Sequence, residues 1–535
     1  MADEFDGIIL GTGHNALVLE AYLCRSGLKV LSLDRADVAG GGLATIENPR
    51  QPGFLHNTHS FFHRAVTAMP WYHDLELERH GTRYIEPRLN VALLLQDGRS
   101  LQWWTEFEKT YDSFAQFSRR DAETLRRWRH GFQPIVSGIL IPEARSPPLP
   151  AEQRRQLLSG SALGRRLLAV SELSPLEFVE REFENDVVRA GLLFFNGLRE
   201  VDLRQQGFGH SIPALLASEP MAQMCVGGSA RLAEALVEDI REHGGEVRTS
   251  AELRSILVSE GRACGVELTD GERIVARFVA SGLNPQQTFL QLIDSDAAGP
   301  ALRERAAGFK YNLLAPLFAL NLALREPPRY AAADSDPTLN QAFMVILGLE
   351  RFDQFHEIVT AHEQGKIPPT VMWGACPTQF DPEQAPPGGH TAFMWEKVPY
   401  AIDGNAQQWD HVAEQHAQQL FQRWTQYAPN LADAVLDSFP RSPLDTERTL
   451  PNMQSGDLLV GSFANGQAGE NRPFAGAGRY RTSVDGLYLC GGSTHPGGNI
   501  TGLCGYNAAR VIAADVGCPI WWHPPDVEQA LRSVR

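Results

Sequence analysis

The chain has 535 residues, about twice the length at which a single hydrophobic core stops growing, so two or more domains are expected. Its 48 Lys and Arg against 64 Asp and Glu leave a formal charge of −16, which argues against a phosphate-backbone partner, and no nucleic acid is expected. Hydrophobic residues at 43% and charged residues at 21% exclude a mainly disordered chain.

The seven cysteines are scattered, and none forms a C-x-x-C pair or a Cys/His set at zinc spacing, so neither a disulfide framework nor a metal site is expected. The start, Met1-Ala2-Asp3-Glu4, is acidic where a secretion or transit signal is basic, and the expectation is a cytoplasmic protein. The longest nearly apolar run, residues 313–324, is broken by Pro316 and Asn321 and falls short of the roughly 20 residues that span a bilayer. Exposed, that run would still permit peripheral membrane contact.

The first element is a strand through Ile8-Ile9-Leu10 that enters Gly11-Thr12-Gly13-His14-Asn15-Ala16 and then a helix. A second apolar run, Val30 to Leu33, ends on Asp34, where a dinucleotide-binding unit places the carboxylate that accepts ribose hydroxyls. Gly11 permits the turn, Gly13 lets backbone N–H groups approach a pyrophosphate, and small Ala16 lets helix and strand pack closely. Arg35 and Gly40-Gly41-Gly42 follow, a second close backbone approach that nicotinamide-binding units do not usually need.

Residues 76–217 carry helix-like patterns around a proline-rich break, Pro142 to Pro150, read as a surface loop or lid hinge. Within them, Arg126-Arg127-Trp128-Arg129 and the pair Glu180 and Glu184 read as solvated helix faces. Beyond them, Gly227-Gly228 opens a helix through Leu232, Leu236 and Ile240, followed by strands with a hairpin turn at Asp270-Gly271. Strand-like segments at 313–324, 342–347, 370–373 and 391–395 suggest a mixed sheet lining a substrate pocket. Near the end, residues 486–492 form a strand running into glycines, then Ser493 to Gly502 form a loop, then residues 503–516 form a helix. A second helix N-terminus at the far end of the chain suits a cofactor long enough to need both termini, and FAD is such a cofactor.

Three blocks now resemble the FAD-dependent phytoene desaturase-like oxidoreductases of the amine oxidase-type flavoprotein superfamily. They are GTGHNALVLEAYLCRSGLKVLSLDR with GGG at 40–42, GGSARLAEALVEDIREHGGEVRTSAEL from Gly227, and YRTSVDGLYLCGGSTHPGGNITGLCGYNAAR from Tyr480. The resemblance implies that Gly11, Gly13, Asn15 and Ala16 surround the FAD pyrophosphate, Asp34 and Arg35 hold the adenosine end, and Gly41 and Gly42 lie along the cofactor. It implies that Leu253 faces the adenine, Gly492 and Ser493 approach the phosphates or ribityl chain, and Ile500 and Thr501 sit beside the flavin's pyrimidine. Two departures bear on the ribose and ribityl contacts: many members carry Glu where this chain has Asp34, and an acid where it has Ser493.

The fold class is therefore α/β, an FAD-binding Rossmann-type domain assembled from residues 1–75, 218–290 and 480–535. Residues 76–217 form a helical cap, and residues 291–479 a mixed-sheet substrate domain. No second nucleotide-binding unit is seen, so electrons taken from substrate are expected to leave to oxygen, a quinone or another carrier. His495 in the C-terminal loop and His59 in the run Gly53 to His63 are the candidates for proton acceptance or a flavin contact. Trp373, Phe393 and Trp395 read as core or as an apolar pocket wall, and Cys504 as a small buried hydrophobe. The motifs admit a desaturase or dehydrogenase acting on a hydrophobic small molecule, a flavin-dependent isomerase, or an amine oxidase. A binding protein of the prenylated-GTPase escort type is the alternative from another class, and the oligomeric state is not indicated.

Overall fold

In the computed structural model, residues 5–196, 202–219, 221–464 and 466–534 are described. Two seven-stranded sheets organise them. The first is parallel at its centre: Phe5–Leu10 lies between Val30–Leu33 and the second half of Arg273–Ser281, with Glu246–Arg248 and Leu487–Leu489 on the outer sides. Residues 273–275 turn antiparallel against Arg262–Leu268, which pairs in turn with Leu253–Ser259. Strands buried on both faces have no polar face to present, which is why Ile8, Ile9 and Leu10 are consecutive and fully buried.

Helices His14–Arg25, Ala230–Glu242 and Leu503–Val516 share one apolar core beside this sheet, through Leu17, Leu236 and Ile512 among others. The first and last of these approach so closely that a Cβ on Gly505 would lie 1.9 Å from the Asn15 carbonyl oxygen. Segments from the start, middle and end of the chain thus meet in one layer.

The second sheet runs Val435–Arg441, Leu317–Leu324, His390–Lys397, Met372–Ala375, Ala342–Leu347, Leu89–Leu94, Ser100–Trp104. Only the pairing of Ala342–Leu347 with Leu89–Leu94 is parallel, so the sheet is mixed. The last two strands come from residues 76–217, which are therefore not wholly helical. A short continuous apolar run such as Leu89–Leu94 has no period to separate strand from helix, and pairing with Ala342–Leu347 decides it.

Two further expectations change. The apolar run at 313–324 is not an exposed patch: Phe318 to Leu324 are buried in a strand with neighbours on both edges, leaving Leu313 at 44% exposure. The proline-rich break is no free hinge, because Asn507 Nδ2 donates to the carbonyls of Ala144 and Ser146, and Ser146 Oγ donates to Pro525 O. No helix among the described residues is long and apolar enough to cross a membrane.

Candidate active site

A cavity of about 1270 Å³ runs from the glycine turn after Phe5–Leu10 to the second sheet. At its first end Gly13 stands as N-cap of His14–Arg25 with φ −63 and ψ 159 and no side-chain cap, so the first N–H groups of the helix are left for a ligand. A Cβ added at Gly13 would meet nothing within 4 Å. The second glycine cluster lies against this turn: Gly40 N donates to Thr12 O at 2.9 Å, and a Cβ on Gly41 would come within 3.2 Å of Gly13 Cα. Gly41 at φ +55 needs the left-handed region as well, which is the local reason for glycine there.

Asp34 ends its strand on the cavity wall. Its Oδ2 accepts from Thr12 N at 2.8 Å and Thr12 Oγ1 at 2.7 Å, and Oδ1 accepts from Ala36 N at 2.9 Å. A carboxylate accepts about four hydrogen bonds, so one position on Oδ1 stays available. Arg35 and Leu253 line the same end, with Arg35 Nη2 donating to Arg448 O at 3.0 Å. Gly11, Asn15, Ala16 and Gly42 are wall residues too, and the buried Asn15 Oδ1 has no partner among the described residues.

From the C-terminal loop, Gly492, Ile500 and Thr501 line the cavity. Trp71 Nε1 donates to Thr501 O at 2.6 Å, and Gly502 at φ +64 packs so tightly on that indole that a Cβ would lie 2.5 Å from it. Ser493 is 1% exposed and behind the wall rather than on it.

His495 turns away from the cavity. Its Nε2 contacts Glu143 O at 3.0 Å, its own carbonyl accepts from Tyr480 Oη at 2.7 Å, and the residue is absent from the cavity wall. Burial lowers its pKa to about 4, so it is a neutral ring holding the loop to residue 143. Glycine-loop position in the sequence does not specify the direction of a side chain, and here the ring turns away.

His59 does reach the wall. Burial, with the Arg441 charge adding to it, lowers its pKa to about 3; Nδ1 meets Thr58 Oγ1 at 2.9 Å, and the buried Nε2 has no partner among the described residues. Its neighbours in the run point elsewhere: His56 packs edge-on against Phe439, while His63 bonds Ser60 Oγ at 2.7 Å and Tyr84 Oη at 3.0 Å. Among the described residues no group of three or more His, Cys, Asp or Glu side chains is placed to hold a metal.

At the far end, Trp373 and Trp395 face the cavity with ring centroids 6.1 Å apart, joined by Leu317, Met344 and Ile346 in an apolar chamber. Phe393 lies behind, packed on Trp395 and Phe61. Cys504 is buried, its Sγ on the carbonyls of Thr494 and Gly497. Arg126 and Arg127 pair with Glu108 and Glu182, and Glu184 with Arg120, while Trp128 is buried rather than solvated, its Nε1 on Glu182.

Lys397 and His14 are among the wall residues that sequence reasoning missed. Lys397 Nζ donates to Leu314 O at 2.6 Å and lies 5.5 Å above Trp373; it shares a strand face with Trp395, so the two-residue period marked it. His14 Nε2 meets Asn499 O at 2.9 Å, tying the first helix to the C-terminal loop across 485 positions of sequence. Its place inside the glycine motif was the available signal.

Comparison with known proteins agrees with this geometry. Residues 9–75 match the family described as an NAD(P)-binding Rossmann-like domain. Over 549 residues the chain is 32% identical to a limonene dehydrogenase polypeptide of Castellaniella defragrans, spanning 99% of this chain and 98% of that one. The chain belongs to the phytoene desaturase-like FAD-dependent oxidoreductases. It is an enzyme of the dehydrogenase and desaturase kind. Within that family it is also 23% identical to the lycopene-forming phytoene desaturase of Pseudescherichia vulneris, over 93% of this chain and 96% of that one. The same fold occurs in cyclohexylamine oxidase from Brevibacterium oxydans, with a TM-score of 0.59 at 14% identity, over 96% of this chain and 100% of that one.

Proposed function

We propose that this oxidoreductase holds FAD lengthwise in the cavity and removes two hydrogens from a largely apolar small molecule seated in the chamber of Trp373 and Trp395. The observation that carries the reading is continuity: one cavity joins the bare helix N-terminus at Gly13 to that chamber. At about 1270 Å³ it exceeds the roughly 300–1,000 Å³ that serves a single small ligand, which suits a cofactor plus a substrate.

The residues fit the dinucleotide. Gly11, Gly13, Asn15 and Ala16 would hold the pyrophosphate, Asp34 with its spare acceptor the ribose, and Arg35 and Leu253 the adenosine end. Gly41 and Gly42 would lie along it, while Gly492, Ile500 and Thr501 would hold the flavin end. FAD, when bound, supplies the two-electron acceptor for a hydride. The chain's own part is to exclude water through the apolar chamber and to orient the substrate between the indoles, with the His59 ring on the wall. The relatives named for limonene and phytoene support a hydrocarbon-like donor. Oxygen or a quinone is the proposed electron acceptor.

The test is optical. Purified protein should show the visible bands of bound oxidised flavin, bleach anaerobically on adding one class of apolar alkene, alcohol or amine, and recover with oxygen or a soluble quinone. Product formed with no acceptor consumed would instead identify an isomerase. A colourless protein that takes up no added FAD would overturn the reading.

A further inference from the structure

One face of the cap runs along the cavity. Gln133, Ser137, Ile141 and Arg145, each four residues after the last, line it through the helix Arg119–Ile135, the π-helical turn Val136–Leu140 and the short helix Ile141–Ala144. The stripe ends on a cation. Arg145 Nη2 donates to Ala68 O at 2.9 Å, and Ala68 is a wall residue together with Met69, Ile500 and Thr501. Neither Arg145 nor Ala68 is buried away from the cavity: the first is partly exposed and the second exposed.

Among the described residues no carboxylate pairs with this guanidinium. Glu143, two positions back, has both its oxygens on Arg154, Oε1 accepting from Nε at 2.5 Å and Oε2 from Nη2 at 2.9 Å. Of the acids on the wall, Asp34 and Glu252 stand at the end lined by Leu253, and Glu219 forms no ion pair with Arg145. Burial accordingly lowers the pKa of the guanidinium below the usual arginine value. A cation taken partly out of water with no carboxylate beside it is costly unless a ligand supplies the anion.

The backbone that carries Arg145 is fixed on both sides. Asn507 Nδ2 donates to the carbonyls of Ala144 at 3.0 Å and Ser146 at 3.3 Å, and His495 Nε2 meets Glu143 O at 3.0 Å. One N–H of the guanidinium is used within the described chain, on Ala68 O, and the others remain for a ligand. The charge is therefore held in place before any ligand arrives, which is what selective binding requires.

We propose that Arg145 is a specificity-determining residue that binds a carboxylate on the otherwise apolar donor, so that the substrate class is an apolar organic acid; this deepens the reading above and rests on it. A guanidinium takes a carboxylate through two parallel N–H···O bonds and so orients the acid as well as holding it, whereas an ammonium is a point charge. Leu140, on the wall between Ser137 and Arg145, packs on the same hydrophobic cluster as Trp373, which gives the body of the acid an apolar path toward the indoles.

The test is calorimetric titration of the flavin-loaded enzyme with benzoate, cinnamate and naphthoate and with the matching amides, aromatic ligands that have no hydrogens to lose to a new double bond. In wild type at least one acid should bind roughly tenfold or more tightly than its amide, in Arg145→Met that ratio should fall to within about threefold, and Arg145→Lys should retain part of it. No preference for any acid in wild type, absence of binding included, overturns the proposal, as does a preference that survives Arg145→Met. A preference left intact while the reduction potential of the flavin falls assigns the guanidinium to the flavin's own carbonyl oxygens and overturns it too. Should Arg145→Met fail to fold, Arg145→Gln, which keeps a donor for Ala68 O and removes the charge, must lose the same preference. A chain that takes up no FAD defeats the flavin reading instead, and the visible spectrum shows this before any acid is added.

Discussion

Replacing Gly13 by alanine separates cofactor binding from folding. The backbone there, φ −63 and ψ 159, is open to any L-residue, and a Cβ meets no atom within 4 Å. Alanine is a poorer N-cap than glycine by about 0.5–1 kcal/mol, while its stiffer unfolded chain returns about 0.4–1 kcal/mol. These nearly cancel, so the melting temperature of the flavin-free protein should move by no more than about 2 °C in a chain of this size. The same methyl enters the cavity in front of the uncapped helix N-terminus. Loss of one hydrogen bond to a phosphate, about 1.5–3 kcal/mol, and of part of the helix-terminus attraction, about 0.3–1 kcal/mol, sums to about 2–4 kcal/mol. That corresponds to roughly a 30- to 1000-fold rise in the Kd for FAD, measured by fluorescence quenching on deflavinated protein. A Kd within about threefold of wild type would refute the placement of the pyrophosphate at this turn.

Gly505→Ala should do the opposite, destabilising the flavin-free fold by about 1–3 kcal/mol or more in urea, because its methyl would sit 1.9 Å from Asn15 O; an unshifted midpoint would refute the close helix contact. His495→Gln should cost about 1 kcal/mol of stability through the lost bond to Glu143 O yet leave the pH profile of turnover unmoved, whereas a displaced profile would restore it as a proton acceptor. His63 is fully buried, and burial lowers its folded-state pKa to about 3 against about 6.5 when unfolded. Its stabilising contribution is therefore whole above the unfolded value and is lost as pH falls toward the folded one, by at most about 1.4 kcal/mol per pH unit. His63→Gln should flatten the acid limb of stability by up to that slope, and an identical limb in wild type and variant would contradict it. Trp373→Ala should raise KM for a small apolar donor by roughly tenfold or more with a smaller effect on kcat, and equal KM values would remove the indole from the substrate chamber.

The strand, glycine turn, helix and terminal acid around Gly11 to Asp34 were legible in the sequence because each is set by neighbours a few positions away: φ at a glycine, the period of an apolar run, the length of one crossover. The resemblance of the C-terminal block carried Gly492, Ile500 and Thr501 to the same cavity that the first helix opens on. Tertiary structure alone decided the rest. Strands Leu89–Leu94 and Ser100–Trp104 joined the second sheet because pairing partners some 250 positions away were available to the first of them. His495 and His59 carry the same side chain in comparable polar surroundings, yet one turns to Glu143 and the other to the cavity, a difference set by what packs against each loop. The His14 bond to Asn499 joins residues 485 positions apart in the chain. Composition and spacing record which groups a chain can offer, whereas the direction in which a buried polar group points is fixed by the partners that folding brings within hydrogen-bond reach.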